Sequence, residues 1–240
     1  MSKASNISAI DYLSESLISA LNTQSKPSHA QRLVFMFHGY GADQADLVGL
    51  KDELVPGTNP NAVNWSWVFP QGIEKIDIGG GWTGRAWWPI ALSQLPGDWS
   101  EISPPGIDVL RQNALSFIDN YRIMYQLSWS QIVIGGFSQG AMLATELYLH
   151  TPETPAGLLS FSGTLIRKSI WSDRLSLRQG SSLFLSHGEQ DPILPIRGSH
   201  ALNNMFRQNG LKTDFCTFPG GHEIPMKAID KAKQYLHNLV

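Results

Sequence analysis

The chain has 240 residues, 42% of them apolar, and a formal net charge of −2. That apolar mass can bury one sizeable core, so a single domain over residues 1–240 is expected, and the near-neutral balance offers no basic field for a nucleic-acid backbone. Cys216 is the only cysteine, which excludes an intramolecular disulfide and a cysteine-based metal cluster.

At the N-terminus Lys3 is followed by Ser, Asn, Asp11 and Glu15 with no uninterrupted apolar run. Neither a signal peptide nor a bilayer-spanning stretch is expected, which makes cytoplasm the default location and leaves no route to stable membrane insertion. Ile10, Leu13, Leu17 and Leu21 fall at helical spacing. The spacing favours a helix over Ile7–Leu21, with a short hairpin that extends a sheet as the other reading.

Beyond that point short apolar runs alternate with longer amphipathic stretches, the pattern of an α/β fold with a mostly parallel central sheet and helices on both faces. The strand candidates are Arg32–Phe37, Trp65–Phe69, Gln131–Gly135, Gly157–Phe161, Ser182–Ser186 and Thr213–Phe218. They are mostly continuous apolar runs, as strands buried on both faces should be. Cys216 lies in the last of them and reads as a buried, inert thiol. The helix candidates are Ile107–Leu127, Gly140–Leu149, Ser199–Gln208 and Pro225–Leu239, with Gly210 as a C-cap glycine and Pro225 as a first-turn proline. Pro70–Gly106 reads as one long loop, rich in Gly and Pro and carrying Trp82, Trp87, Trp88 and Trp99. A loop of this length in a compact domain is usually functional or disordered, and the tryptophans argue against disorder.

Gly136-Phe137-Ser138-Gln139-Gly140 matches G-x-S-x-G. As a bare pattern it is weak; its setting strengthens it. The run Gln131–Gly135 before it reads as a buried strand, and Ala141–Leu147 after it consists of good helix formers. Strand, sharp turn and helix follow in the order that leaves a serine hydroxyl exposed above a sheet, with glycines where the chain must pack closely. Ser138 is the nucleophile candidate.

A serine hydroxyl needs a base, and the base needs a carboxylate, in the order Ser, Asp or Glu, His along the chain. Of the downstream histidines, His150, His200 and His237 fall in or at the edges of predicted helices, and His187 precedes every good acid except Asp173. His222 follows Phe218-Pro219-Gly220-Gly221, a turn after the last strand, and is the base candidate. Asp191, in His187-Gly188-Glu189-Gln190-Asp191-Pro192, is the acid candidate ahead of Glu189 and Asp214, although Asp-Pro is also ordinary turn chemistry. Two backbone N–H donors are needed for a tetrahedral oxyanion. Gln139 should supply one. Tyr40 should supply the other, from the glycine-bearing loop His38–Asp43 after the strand Arg32–Phe37, where His38 reads as loop architecture. Trp82, Trp87 and Trp88 either wall an apolar acyl groove or pin the long loop to the body.

Together the motifs His38-Gly39-Tyr40-Gly41-Ala42-Asp43, Gly136-Phe137-Ser138-Gln139-Gly140, His187–Pro192 and Gly221-His222 resemble the phospholipase/carboxylesterase family of α/β-hydrolases, the group that includes acyl-protein thioesterases. The resemblance runs from about Arg32 to the C-terminus. It implies an α/β-hydrolase fold and a triad of Ser138, Asp191 and His222 with no metal or organic cofactor. The expected activity is that of a serine carboxylesterase or thioesterase acting on a small acyl ester or thioester through an acyl-enzyme. It also admits a homodimer through the apolar face near the site. Arg85-Ala86-Trp87-Trp88-Pro89-Ile90 is similar to the family's Trp-aromatic-Asp segment, but Pro89 stands at the aspartate position. The segment looks like a bacterial carboxylesterase-type branch, so protein depalmitoylation does not carry over with the resemblance. A lysophospholipase or peptidase would use the same three residues. A catalytically silent binding protein on a hydrolase scaffold is the alternative from another class, and the complete set of nucleophile, base and acid argues against it.

Overall fold

The computed structural model describes residues 31–54, 64–90 and 97–239, together with the backbone of residues 9–12. Its centre is a seven-stranded sheet in the order β1-β3-β2-β6-β7-β8-β9. The strands are β1 (Ala9–Tyr12), β2 (Gln31–Phe37), β3 (Asn64–Pro70), β6 (Ile132–Phe137), β7 (Gly157–Phe161), β8 (Ser182–Gly188) and β9 (Lys212–Phe218). All neighbouring pairs are parallel except β1 with β3. The continuous apolar runs have the cause that was expected. Leu33, Phe35 and Phe37 of β2 enter one core while Val34 and Met36 enter the other, and all five are buried.

Helices cover both faces. The first core takes α2 (Ile107–Met124), α3 (Gln139–His150), α4 (Lys168–Arg174) and α5 (Arg197–Gln208); the second takes α1 (Leu50–Leu54) and α6 (Met226–His237). The α5 helix ends on Gly210 at φ 82°, where the Leu211 N–H reaches the Phe206 carbonyl and the Gly210 N–H the Arg207 carbonyl, a Schellman termination. Pro225 takes the N-cap position of α6, one residue before the first helical turn.

Two expectations change. Residues 9–12 form a strand, not part of a helix, because Ile10 and its neighbours pair antiparallel with β3, Ile10 opposite Phe69; the rest of the anticipated helix lies outside the described residues. The stretch Pro70–Gly106 is not all loop. It holds an antiparallel hairpin of β4 (Glu74–Gly79) and β5 (Trp82–Ala86), turned at Gly79, Gly80 and Gly81, each at positive φ. Backbone bonds from Gly41 N–H to the Arg85 carbonyl and from Arg85 N–H to the Ala42 carbonyl tie this hairpin to the loop after β2.

The order of the sheet fixes where a site can lie. From β2 the chain moves outward to β3, then returns to place β6 on the other side of β2. At such a reversal, loops leaving adjacent strands at their carboxyl ends diverge and open a crevice. Here those loops are His38–Asp43 and the turn at Ser138, with Phe37 paired to Gly136.

Candidate active site

Ser138 sits between β6 and α3 with φ 55° and ψ −118°, a conformation that a residue bearing a Cβ adopts only when its surroundings impose it. Its N–H donates to the Phe161 carbonyl (2.9 Å), and its carbonyl accepts from the N–H groups of Ala141 and Met142. The glycines of the turn are required by contact. A Cβ on Gly140 would overlap the Phe37 carbonyl, and one on Gly136 would overlap Gly140.

The loops after β8 and β9 carry the other two groups and are zipped together. Glu189 N–H donates to the Phe218 carbonyl (2.9 Å) and Gln190 N–H to the Gly220 carbonyl (3.0 Å). The structure brings all three expected side chains into one chain of contacts: Ser138 Oγ lies 2.8 Å from His222 Nε2, and His222 Nδ1 lies 2.6 Å from Asp191 Oδ2. Asp191 Oδ1 accepts from the N–H groups of Ile193 (2.8 Å) and Leu194 (2.9 Å). Burial favours the neutral acid, but hydrogen bonds from His187, His222 and the Leu194 N–H outweigh it and hold the Asp191 carboxyl well below the usual carboxylate range. Phe137 packs on the His222 ring with centroids 4.8 Å apart, and the Ser162 hydroxyl donates to the Glu223 carbonyl (3.3 Å), fixing the loop on either side of the imidazole.

The competing candidates point elsewhere. Glu189 accepts from the Thr217 hydroxyl (3.0 Å), and Asp214 lies within β9 opposite Phe184. His150 bonds the Glu146 carbonyl, His200 packs edge-on against Phe215, and His237 ends α6.

The loop after β2 is built around His38. Its Nδ1–H donates to the Gly39 carbonyl (2.8 Å) and its Nε2 accepts from the Gly72 N–H (2.9 Å). Burial pushes this imidazole below its ordinary value, so it stays neutral and acts as scaffold. Gly39 is close enough to the nucleophile turn that an added Cβ would stand 3.5 Å from the Ser138 Cβ. Among the described residues neither the Tyr40 nor the Gln139 N–H has an acceptor within the protein, which leaves both donors available beside Ser138.

The tryptophans are placed differently from the acyl-groove reading. Trp87 and Trp88 are buried, 1% and 2% exposed, and Trp82 is 74% exposed on the hairpin. The side chain of Gln139 explains the first two. Its Oε1 accepts from the Trp87 N–H (2.9 Å) and its Nε2 donates to the Trp88 carbonyl (2.8 Å), while the Trp87 indole donates to the His38 carbonyl (2.8 Å). They lock the β2 loop to the nucleophile turn. An apolar cavity of about 290 Å³ opens over Ser138 and His222, walled by Tyr40, Ile90, Trp99, Met142, Ile193 and Leu194. Among the described residues Trp99 is the tryptophan on that wall, and it also lines a second cleft of about 470 Å³. Among the described residues no group of three His, Cys, Asp or Glu could hold a metal ion, and no helix is long and apolar enough to cross a membrane.

Residues 19–240 match the family model described as Phospholipase/Carboxylesterase. Acyl-protein thioesterase 1 of Kluyveromyces lactis is 28% identical over 229 residues, covering 91% of this chain and 96% of that protein. Among solved structures, esterase PE8 superposes with a TM-score of 0.76 at 22% identity over 98% of this chain and 100% of its own. The Bacillus cereus carboxylesterase gives 0.70 at 17% identity over 98% and 95%. At those identities the structural matches establish the α/β-hydrolase fold. The family match spans nearly the whole chain, from before β2 to its end, and so the chain belongs to the phospholipase/carboxylesterase family.

Proposed function

We propose that this chain is a serine carboxylesterase that hydrolyses acyl esters and thioesters through Ser138, His222 and Asp191. One observation carries the reading: the unbroken contact from Ser138 Oγ through the His222 ring to Asp191, 2.8 Å and 2.6 Å, opening onto an apolar cavity. Ser138 Oγ attacks the acyl carbonyl carbon as His222 Nε2 takes its proton. Asp191 holds the imidazole with Nδ1 protonated and stabilises the imidazolium that forms. The negative charge that develops on the carbonyl oxygen is met by the Tyr40 and Gln139 N–H groups. Collapse of the tetrahedral intermediate expels the alcohol or thiol, which takes the proton from His222. Water then attacks the acyl-enzyme, giving a proton to His222, and as the second tetrahedral intermediate collapses His222 returns that proton to Ser138 Oγ, releasing the acid and the free serine.

A cavity of about 290 Å³ is at the small end for a small-molecule site, which favours short acyl chains. The relatives named acyl-protein thioesterases make a thioester a natural second substrate. The test is covalent labelling by a fluorophosphonate with Ser138→Ala as control, joined to hydrolysis of p-nitrophenyl esters from acetyl to palmitoyl, matched thioesters, amides and lysophospholipids. Labelling of wild type alone and an ester rate lowered about 10⁴-fold or more in Ser138→Ala are expected. A folded wild type that does not label, or that cleaves amides faster than esters, would overturn the reading.

A further inference from the structure

A second histidine touches the same carboxylate. His187, at the end of β8, is fully buried and turns its Nε2 toward two acceptors, the Leu194 carbonyl at 2.7 Å and Asp191 Oδ2 at 3.2 Å. Neither acceptor can supply a proton, so Nε2 carries one; its N–H bonds the Leu194 carbonyl, and Asp191 Oδ2 stands in polar contact with the same N–H. On the far side of the ring Nδ1 meets the Ser199 hydroxyl at 2.5 Å, whose single proton lies between Nδ1 and the Gly163 carbonyl. The ring is thus clamped between the first turn of α5 and the turn that carries Asp191. We propose that His187 is a positioning residue for the active site: it gives Asp191 Oδ2 a second side-chain donor and so sets both the carboxylate's orientation and how firmly it holds a proton on His222.

The physical need is plain. The Asp191 side chain is fully buried, so water cannot fill an empty lone pair, and a buried acceptor left unmatched is costly. Its Oδ1 is occupied by two backbone N–H groups of its own turn, and Oδ2 would otherwise meet His222 alone. A donor at His187 draws part of the carboxylate's charge toward itself. Without it, more charge faces His222 Nδ1, the imidazolium is favoured, and the neutral base appears only at higher pH. Other charged groups nearby are engaged elsewhere: Glu189 with the Thr217 hydroxyl, Lys227 with the Thr217 carbonyl, and Glu223 with the Gly221 N–H. The ionisable groups acting on Asp191 are His187 and His222.

This inference rests on the Ser138–His222–Asp191 reading, and the experiment separates the two. His187→Leu keeps the volume and deletes the donor; His187→Gln keeps an N–H at similar reach. His187→Leu is expected to lower kcat about ten- to a hundredfold and to move the acid limb of the kcat/KM–pH profile upward. His187→Gln is expected to stay within a few-fold of wild type at the wild-type midpoint. Ser199→Ala, which unclamps the ring, should show the same upward shift in smaller measure and decides the matter where His187→Leu fails to fold. A folded His187→Leu, or failing that a folded Ser199→Ala, with an unmoved acid limb overturns the proposal. Equal impairment of the Leu and Gln variants overturns it as well. In each case continued fluorophosphonate labelling of wild type, absent in Ser138→Ala, leaves the triad reading standing.

Discussion

Ser138 holds a backbone conformation costing of order 1–3 kcal/mol, and its neighbours keep it there. The residue after it contributes twice. Its N–H is a donor proposed for the oxyanion, and its side chain bonds the backbone of Trp87 and Trp88. Asp191 and His222 have different parts in the proton transfer. The Asp191 carboxyl is held below its usual range, so it stays ionised wherever the protein is folded and working. Its depressed folded value means that it contributes stability fully above its unfolded value, about 3.9, and loses that contribution as pH falls through the folded one. The acid limb of the activity therefore belongs to one group. With p-nitrophenyl butyrate, kcat/KM should rise with pH along a single limb of one-proton slope, while intrinsic fluorescence stays constant to about pH 4. A flat profile from about pH 5 to 9, or a two-proton slope, would contradict this division.

At the scale of elements, the segment between β3 and α2 carries both an exposed tryptophan and one that lines the cavity over Ser138. Trp82 rides on an exposed hairpin, whereas Trp99 lines both the 290 Å³ cavity and the 470 Å³ cleft. Trp99→Leu should open one into the other and raise the kcat/KM ratio of long to short acyl esters about tenfold, and Trp82→Ala should leave that ratio unchanged. The reverse pattern across an acyl series would return the groove to the hairpin. What was legible in the sequence follows the same division. The strands β2, β6, β7 and β8 read clearly because both their faces are buried, the edge strand β9 keeps enough of the pattern through Phe215, Cys216 and Phe218, and the turn at Ser138 reads clearly because strand, glycine and helix are consecutive. The hairpin did not, because Glu74–Gly79 is mostly exposed and leaves no apolar pattern; the three glycines between two short runs were the available hairpin signal. Residues 9–12 were misread because pairing with β3, far along the chain, overrides local spacing. The contact of His187 with Asp191 and the clamp by Gln139 are tertiary facts with no local signature beyond residue type.

Across the whole molecule, the core on one face of the sheet encloses a carboxylate remote from the nucleophile. Glu146, on the helix that begins at the nucleophile turn, is 0% exposed and bonds Arg111 (2.7 Å), Arg167 (2.9 Å) and the Trp171 indole (2.6 Å). Arg111 and Arg167 continue to Asp108 at the rim, so the cluster joins α2, α3, α4 and the connection after β7. It also reaches the cavity. Arg167 N–H donates to the Ile102 carbonyl (3.2 Å) and Lys168 N–H to the Ser100 carbonyl (2.8 Å), holding the strip that carries Trp99. A buried ion pair can be close to neutral for stability when measured against an apolar replacement, yet removing one member strands the other. Arg167, with its side chain 3% exposed, would lose its buried partner and keep only Asp108 at the rim. Glu146→Leu should therefore lower the unfolding free energy by about 3–5 kcal/mol in urea. Glu146→Leu with Arg167→Met should recover a large part, giving a coupling of about 1–3 kcal/mol in the double-mutant cycle. Additive losses would mean that the pair acts through packing alone. A single loss under about 1 kcal/mol would mean that water reaches Glu146 and that the strip bearing Trp99 is held by its backbone bonds without help from the charge.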